Sequence, residues 1–323
     1  MIYKSVSKKI LDAKKIGITF HASPDGDAIG SSLALLNGLK SLGKDAYIVS
    51  KEEIPQNLKF LPLGETVDGL TEKPLEGTDL VIVVDCGNVE RICADNSEYK
   101  GEIINIDHHV SNENFGVLNL VEADSAAASE IIYLLLKEMD VDFQSKSEQM
   151  LDIARCIYTG LITDTGSFRH SNVTPRTLTI AAELISIGLN HNKIYNELFD
   201  NKPFNRVKLI GFALSTIELL LDGKVTFIGL SIDLLEGLNL GSVDTSDIIS
   251  TALSIENVEV AVVLKETEDG VKASLRSKND IDVSKIAETF GGGGHVKAAG
   301  LKIKETSLEE AKKKILEEIS KEL

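Results

Sequence analysis

Short apolar runs alternate with helical patterns in the first half of the chain. The runs IGITFH (16–21), AYIVS (46–50), DLVIVVD (79–85) and EIINID (102–107) predict strands, and the last two lack the polar alternation of a half-exposed strand. Apolar residues at helical spacing over 27–42 predict a helix that stops at Gly43. This alternation is typical of parallel βαβ units, so we expect an α/β domain whose parallel sheet carries helices on both faces.

The middle of the chain reads as helical. One helix is predicted from Ser125 and another from Ser147, and each serine is expected to cap its helix. A third helix spans about 175–187 and ends at Gly188. The pattern over 190–222 stays helical but becomes more polar and is broken at Pro203. We therefore expect a first domain over 1–189 and a helical linker over 190–222.

A different pattern begins after residue 222. KVTFIGLSI (224–232) predicts a strand, 247–253 a helix, and 258–277 a hairpin that turns at Glu-Asp-Gly. A short helix then ends in the glycine run 291–294, the run AAGLKIK (298–304) predicts another strand, and a Lys/Glu-rich helix closes the chain. We expect a smaller α+β domain over 223–323.

Composition narrows the functional classes. The 323 residues carry 34 Lys and Arg against 50 Asp and Glu, a formal net charge of −16, which disfavours a broad basic face for long duplex DNA. The odd set Cys86, Cys93 and Cys156 contains no C-x-x-C pair, which argues against disulfides and a cysteine zinc site. The N-terminus lacks a signal-peptide core, and the apolar run 131–136 is too short to span a bilayer. We expect a cytoplasmic protein without membrane contact.

Histidines and aspartates concentrate at the ends of predicted elements, where open α/β sheets bind ligands. The histidines in such turns are His21, His108, His109 and His295. Asp25 and Asp27 can turn toward a shared cavity because Gly26 lies between them. The alternative for this pair is a surface turn in which Asp27 caps the following helix.

Further carboxylates follow apolar segments. Asp85 ends a very apolar strand, where a carboxylate is costly unless it is paired or metal-bound, although a turn or helix cap explains it equally well. His108 and His109 point to opposite faces of an extended segment, so they cannot both line one core surface. Asp164 lies in the turn TDTG after an apolar helix.

Taken together, these positions offer two histidines and four aspartates, a donor set that suits Mn²⁺ or Mg²⁺ better than structural Zn²⁺. The carboxylate count matches the charge of two divalent cations. Two metals about 3.5–4 Å apart can share one water, lower its pKa and hold the attacking and leaving oxygens of a phosphoryl transfer. The residues thus predict a two-metal phosphoesterase.

Six motifs carry a family resemblance. In chain order they are HASPDGDAIGSS, VVDCG, DHH, TDTG, SLRS and GGGGHVKAAG. This series resembles the DHH phosphoesterase superfamily with its DHH-associated C-terminal domain. The segments ITDTGSFRHSNVTP and VKASLRSKNDIDVSKIAETFGGGGH resemble the branch of bifunctional oligoribonucleases (nanoRNases) and pAp phosphatases. The resemblance covers nearly the whole chain.

The resemblance implies two metal ions bridged by Asp85. The implied ligands of one ion are His21, Asp25 and Asp85, and those of the other are Asp27, Asp85, His108 and Asp164. Asp107 would position the histidines from behind. His109 would face the scissile phosphate and stabilise developing charge or protonate the leaving oxygen.

The second domain offers groups that grip substrate. Arg276 follows a predicted strand, where its planar guanidinium can clamp a phosphate, and His295 adds a donor. Gly292, Gly293 and Gly294 let backbone N–H groups approach an anion closely, and the alternative for this run is a flexible linker. Arg169 and His170 follow the TDTG turn, where contact with phosphate or base and a plain surface role both fit.

The expected function is that of a hydrolase with two Mn²⁺ ions, for which Mg²⁺ or Co²⁺ can substitute. The resemblance implies that it releases nucleoside monophosphates from short oligoribonucleotides and converts 3′-phosphoadenosine 5′-phosphate (pAp) to AMP and phosphate, in a cleft between the domains. Short substrates are favoured because a chain with Trp 0 and 5% aromatic residues has few stacking platforms for long single strands.

Three alternatives stay open. The first is a phosphodiesterase for cyclic or linear dinucleotides such as c-di-AMP or pApA. The second is a family II-type inorganic pyrophosphatase, against which the SLRS and GGGGH motifs argue. The third is a non-catalytic nucleotide-binding regulator, which predicts missing ligands, whereas every expected ligand is present. A homodimer is also compatible with the sequence.

Overall fold

The computed structural model describes residues 2–239 and 245–323. The chain divides into two compact units, Met1–Asn201 and Lys202–Leu323. This division falls within the segment 190–222 that the sequence predicts as a linker. The elements there are α6 (His191–Tyr195), a π-helical turn (Asn196–Asp200), α7 (Phe204–Ser215) and a short strand, β6 (Glu218–Leu220).

The first unit is built on a five-stranded parallel sheet of order β2-β1-β3-β4-β5. The strands are β1 (Lys15–Thr19), β2 (Asp45–Ile48), β3 (Leu80–Val84), β4 (Glu102–Asp107) and β5 (Leu118–Val121). The helices before α6 are α1 (Ile2–Asp12), α2 (Gly26–Ser41), α3 (Ala128–Glu138), α4 (Glu148–Asp164) and α5 (Pro175–Ser186). The prediction of an α/β unit with a parallel sheet is confirmed, and β5 is an additional strand.

The two faces of this sheet are covered differently from the expectation. Buried apolar residues of α1–α6 join the strands in one hydrophobic cluster on one face. The cluster on the opposite face contains the β3 residues Val81 and Val83 together with Cys86, Ile92 and Ala94. These last three lie in the connection from β3 to β4, which includes a 3-10 turn at Val89–Arg91. Helices on both faces are therefore not observed in the described first unit, because this connection covers the second face without an α-helix.

The helix caps also depart from the prediction at one point. Ser147 caps α4 by accepting a hydrogen bond from the Met150 amide, as expected. Ser125 does not cap α3, whose N-cap is Ala127 without a side-chain cap. The first amides of α3 donate instead to the carboxylate of Asp27, which is distant in sequence. A carboxylate at the positive end of a helix is electrostatically favoured.

The second unit is a six-stranded mixed sheet of order β10-β11-β9-β8-β7-β6, in which β7 and β8 are parallel and the other pairs antiparallel. The further strands are β7 (Val225–Leu230), β8 (Val260–Thr267), β9 (Gly270–Ser277), β10 (Gly293–His295) and β11 (Ala298–Lys304). The further helices are α8 (Ile232–Gly237), α9 (Ser246–Leu253), α10 (Val283–Glu288) and α11 (Leu308–Glu322). Helices α10 and α11 pack on one face of the sheet and α7–α9 on the other. This is the expected α+β arrangement.

Two compositional expectations can also be compared with the structure. Cys86, Cys93 and Cys156 are free and buried, in agreement with the absence of a disulfide framework. Within 2–239 and 245–323, every helix is too short or too polar to cross a bilayer.

Candidate metal centre

The candidate ligands gather at the carboxyl edge of the parallel sheet. His21 follows β1, Asp85 follows β3 and His108 follows β4, and these three strands are neighbours in the order β1-β3-β4. The carboxyl ends of neighbouring parallel strands meet at one edge, which is why residues far apart in sequence converge there. Asp25 and Asp27 come from the start of α2, and Asp164 is the last residue of α4.

One group of donors consists of His21, Asp25 and Asp85, whose ligand atoms lie within 4.8 Å of one another. His21 Nε2 is 3.6 Å from Asp85 Oδ2 and 3.9 Å from Asp25 Oδ1. His21 Nδ1 lies 2.9 Å from the Ala22 carbonyl oxygen, so it donates there and leaves Nε2 as the free nitrogen. Asp25, not Asp27, is the N-cap of α2, since its Oδ1 accepts from the amides of Asp27 and Ala28.

A second group consists of Asp27, His108 and Asp164. His108 Nε2 lies 3.3 Å from Asp164 Oδ2, 4.0 Å from Asp27 Oδ2 and 3.5 Å from Asp85 Oδ1. Both oxygens of the fully buried Asp27 are held in place, Oδ2 by the Ala128 amide at 2.6 Å and Oδ1 by the Ser129 amide and hydroxyl. Asp85 therefore faces a histidine of each group, with one oxygen toward His21 and the other toward His108.

Asp85 has the features of a residue held in place for coordination. It is buried, and within the described segments its Oδ1 accepts no hydrogen bond. Its backbone has φ +52°, a conformation that costs free energy for a non-glycine residue, and its amide donates to the Ile106 carbonyl oxygen. A buried carboxylate oxygen without a donor is rare in folded proteins, and a cation would satisfy it. The residues thus fit divalent metal ions.

The pKa shifts of the donor residues show that their carboxylates favour positive charge on the neighbouring histidines. Burial lowers the pKa of His21 and His108, but the neighbouring carboxylates outweigh burial and raise each pKa to about 10. Burial and the charge of Asp85 raise the pKa of Asp27, and burial raises that of Asp164 to about 6. For Asp85, burial raises the pKa, but the interactions with His108 and His21 outweigh it and the net shift is downward. Protonated histidines thus supply charge that a metal ion would replace.

We expect metal binding to release protons. Because His21 and His108 have pKa values of about 10 without metal, both carry a proton at neutral pH and must lose it to coordinate. The apparent affinity for Mn²⁺ should therefore keep rising from about pH 6 to pH 8.5, and calorimetry in buffers of different ionisation enthalpy should detect the protons. An affinity that levels off near the ordinary histidine pKa of about 6.5 would contradict the raised values.

His109 and Asp107 form a hydrogen-bonded pair at the centre, where His109 Nδ1 also lies 3.6 Å from Asp85 Oδ1 and groups with Asp85 and His108. His109 Nδ1 lies 2.7 Å from Oδ1 of the buried Asp107, whose Oδ2 accepts from Asn112 Nδ2 at 2.5 Å. The bond to Asp107 outweighs burial and raises the pKa of His109. Since Nδ1 is engaged, Nε2 is the nitrogen that can meet a substrate. His108 Nδ1 faces the Ser125 carbonyl oxygen at 3.4 Å, so Asp107 orients His109 alone.

Three contributing residues were not predicted from the sequence. Asn112 joins Asp107 to Asn105, and Asn105 donates to backbone carbonyls of the β3 edge. Ser129 holds Asp27. The only sequence signal for Asn112 is an asparagine shortly after DHH, which reads equally as a turn residue.

The predicted substrate groups of the second unit lie on one face of its sheet. Ala298 of β11 pairs with Arg276 of β9 and with His295 of β10, and directly opposite residues share a face. The glycine run is not a flexible linker, since Gly293–His295 form β10. A Cβ at Gly292 would collide with the backbone of Gly300, and Gly294 has φ +150°. These glycines therefore permit the close hairpin between β10 and β11.

Arg169 and His170 lie in the segment that follows Asp164 and the end of α4. Both are exposed, and Arg169 Nε donates to the Gly166 carbonyl oxygen at 2.8 Å. No hydrogen bond or ion pair joins either of them to the donors described above. Their proposed contact with substrate stays a prediction.

Fold and donor set define the class as an α/β protein whose donors fit divalent metal ions, followed by an α+β unit. Residues 15–161 match the model of the DHH family N-terminal domain, and residues 226–322 match the DHHA1 domain. The chain belongs to the DHH family.

Relatives of similar length support this assignment. The bifunctional oligoribonuclease and PAP phosphatase NrnA of Thermus thermophilus is 36% identical over 95% of this chain and 90% of its own length. The protein of the same description from Bacillus subtilis is 31% identical over 88% of this chain and 87% of its own length. The crystal structure of an exopolyphosphatase-related protein from Bacteroides fragilis matches with a TM-score of 0.88 and 28% identity, over 99% of this chain and 95% of that one.

Proposed function

We propose that the protein is a metal-dependent phosphoesterase that hydrolyses short oligoribonucleotides to nucleoside monophosphates and pAp to AMP and phosphate. The observation that carries this proposal is the position of Asp85, a buried carboxylate whose Oδ2 faces His21 of one donor group and whose Oδ1 faces His108 of the other. The named activities of the Thermus and Bacillus relatives support the substrate class. The free, buried cysteines fit action in a reducing cytoplasm, which we include in the proposal.

The chain has residues for each part of such a reaction. His21, Asp25 and Asp85 would hold one divalent ion, and Asp27, Asp85, His108 and Asp164 the other. Two such ions supply an activated water and neutralise charge on the phosphate when bound. We assign the two ions as Mn²⁺, since carboxylates with imidazole suit it, and Mg²⁺ or Co²⁺ as substitutes.

The remaining groups act on the substrate itself. His109, oriented through Nδ1 by Asp107, would present Nε2 to the scissile phosphate and donate a proton to the leaving oxygen. The hydrogen bond to Asp107 raises the pKa of His109, which favours the protonated form that an acid requires. Arg276 and His295 would bind a phosphate that is not cleaved, which positions the substrate.

A substrate panel tests the proposal. With Mn²⁺ present, we expect hydrolysis of pAp and of a five-nucleotide RNA, and no hydrolysis of either after EDTA treatment. Turnover of c-di-AMP and pApA alone would favour the dinucleotide phosphodiesterase, and turnover of pyrophosphate alone would show the branch assignment to be wrong. Binding of nucleotides without turnover of any substrate would overturn the enzyme proposal in favour of a regulator.

A further inference from the structure

The face of the second unit that carries Arg276 is only half covered. Helices α7–α9 cover this face over β7 and β8, through Ile228, Leu230, Ala261 and Val263. On β9 and β11 the same face presents Lys272, Ser274 and Arg276 at every second residue, with Ala298, Gly300 and Lys302 beside them. Within the described part of the chain, none of these six residues belongs to a hydrophobic cluster. This part of the face is polar and open.

Three lysines lie in register across it. Lys272 of β9 pairs directly with Lys302 of β11 on one side and with Lys265 of β8 on the other. Directly opposite residues on neighbouring strands have Cβ atoms about 4.5–5.5 Å apart, and like charges there are destabilising. We call Lys265, Lys272 and Lys302 the lysine row. The repulsion between three adjacent positive charges, in a chain of net charge −16, would be relieved by an anion bound between them.

The described residues supply only part of that negative charge. Lys302 Nζ forms an ion pair with Asp269 Oδ2 at 2.6 Å. The side chains of Lys265 and Lys272 form no ion pair or hydrogen bond with any residue in 2–239 or 245–323, and Lys272 is exposed. The row therefore keeps a net positive charge in reach of solvent.

A floor of small residues separates the lysine row from Arg276. Ser274, Gly300 and Gly293 pair with one another across β9, β11 and β10 and form this floor. A Cβ at Gly293 would meet nothing within 4 Å, and one at Gly300 only the Ala273 carbonyl oxygen at 3.7 Å. Neither glycine is thus required by packing among the described residues. The strip above them is open space between the lysine row and Arg276.

We propose that the lysine row binds a phosphate of an oligoribonucleotide beyond the phosphate held by Arg276 and His295, and that the intervening nucleotide lies over Ser274 and Gly300. Lys272 and Arg276 are four residues apart on one strand, about 13 Å between their Cα atoms, which leaves room for a nucleotide between two bound phosphates. The site thus distinguishes an oligonucleotide from pAp. This inference rests on the proposed function, since it names how that function selects longer substrates.

Charge reversal in the row tests the proposal. In Lys272→Glu, kcat/KM for a five-nucleotide RNA divided by kcat/KM for pAp should fall about tenfold. In Lys272→Gln, one phosphate contact is lost, so the slope of log KM for the RNA against log salt concentration should decrease by about 0.7. The matched control is Lys313→Glu, an exposed lysine of α11, which packs on the opposite face. It should keep the wild-type ratio and slope.

A second variant changes shape without charge. Gly300→Val should fill the floor without clashing, since β11 favours β-branched residues, and it should lower the same ratio. Fluorescence anisotropy with the labelled five-nucleotide RNA measures binding without turnover, so it tests the row even if the proposed function fails. Wild-type RNA affinity and substrate ratio in both Lys272→Glu and Gly300→Val would overturn the lysine row as a phosphate site.

Discussion

Asp85→Asn is expected to abolish hydrolysis of pAp and short RNA. The variant removes the charge of the one carboxylate that faces both donor groups, so it should weaken both metal sites at once. Loss of the several kcal/mol that bound metals contribute to the transition state corresponds to at least about a thousandfold lower kcat. Asparagine is preferred to alanine because it tolerates the left-handed backbone of Asp85, at φ +52°.

A matched control exists on the surface of the same unit. Asp140 is exposed and has φ +61°, so Asp140→Asn repeats the chemical change and the backbone conformation away from the metal centre. It should keep wild-type turnover and metal content, whereas Asp85→Asn should lose both, as measured by kcat with Mn²⁺ and by elemental analysis of bound metal. A folded Asp85→Asn protein with two bound metals and near-normal turnover would contradict the bridging role.

The fold was predictable where a strand buries most of its residues. The runs that became β1, β3 and β4 lie in the sheet interior, and their mostly apolar residues follow from burial on both faces, most clearly in β3. The strand β5 was missed because it lies at the sheet edge, where only Leu120 of its four residues is buried. The one-sided arrangement of helices was equally hidden, since the pattern of a helix does not say which face of a sheet it covers.

The candidate site likewise has residues that could be predicted from the sequence and contacts that could not. Strand ends located His21, Asp85 and His108, because a polar residue after a buried strand is visible in the sequence. The contact of Asp27 with the start of α3 could not be predicted, since it joins residues about one hundred positions apart. The nearby Ser125 was predicted as the cap of α3 instead, because serine is a common N-cap residue. Contacts between distant segments leave no periodicity in the chain.

Gly160→Ala should damage both stability and metal binding, although alanine is the better helix former. Gly160 lies inside α4, and a Cβ there would come closer than 3.0 Å to Ser129 Oγ and Asp27 Oδ1, which are hydrogen-bonded to each other. Both atoms are buried and held by the start of α3, so neither can move freely. We expect a loss of about 1–3 kcal/mol in the free energy of unfolding and, because Asp27 shifts, a metal affinity about 10–100-fold weaker.

The sign of the stability change separates this crowding from ordinary helix propensity. Gly211 lies in α7, where a Cβ would meet nothing within 4 Å, so Gly211→Ala should stabilise its unit by up to about 1 kcal/mol. Denaturant unfolding in EDTA measures both variants without metal, and Mn²⁺ titration of the folded proteins measures affinity. If Gly160→Ala were as stabilising as Gly211→Ala and bound Mn²⁺ normally, then Asp27 would not be fixed by the contact of α4 with α3, and its place among the metal ligands would lose this structural support.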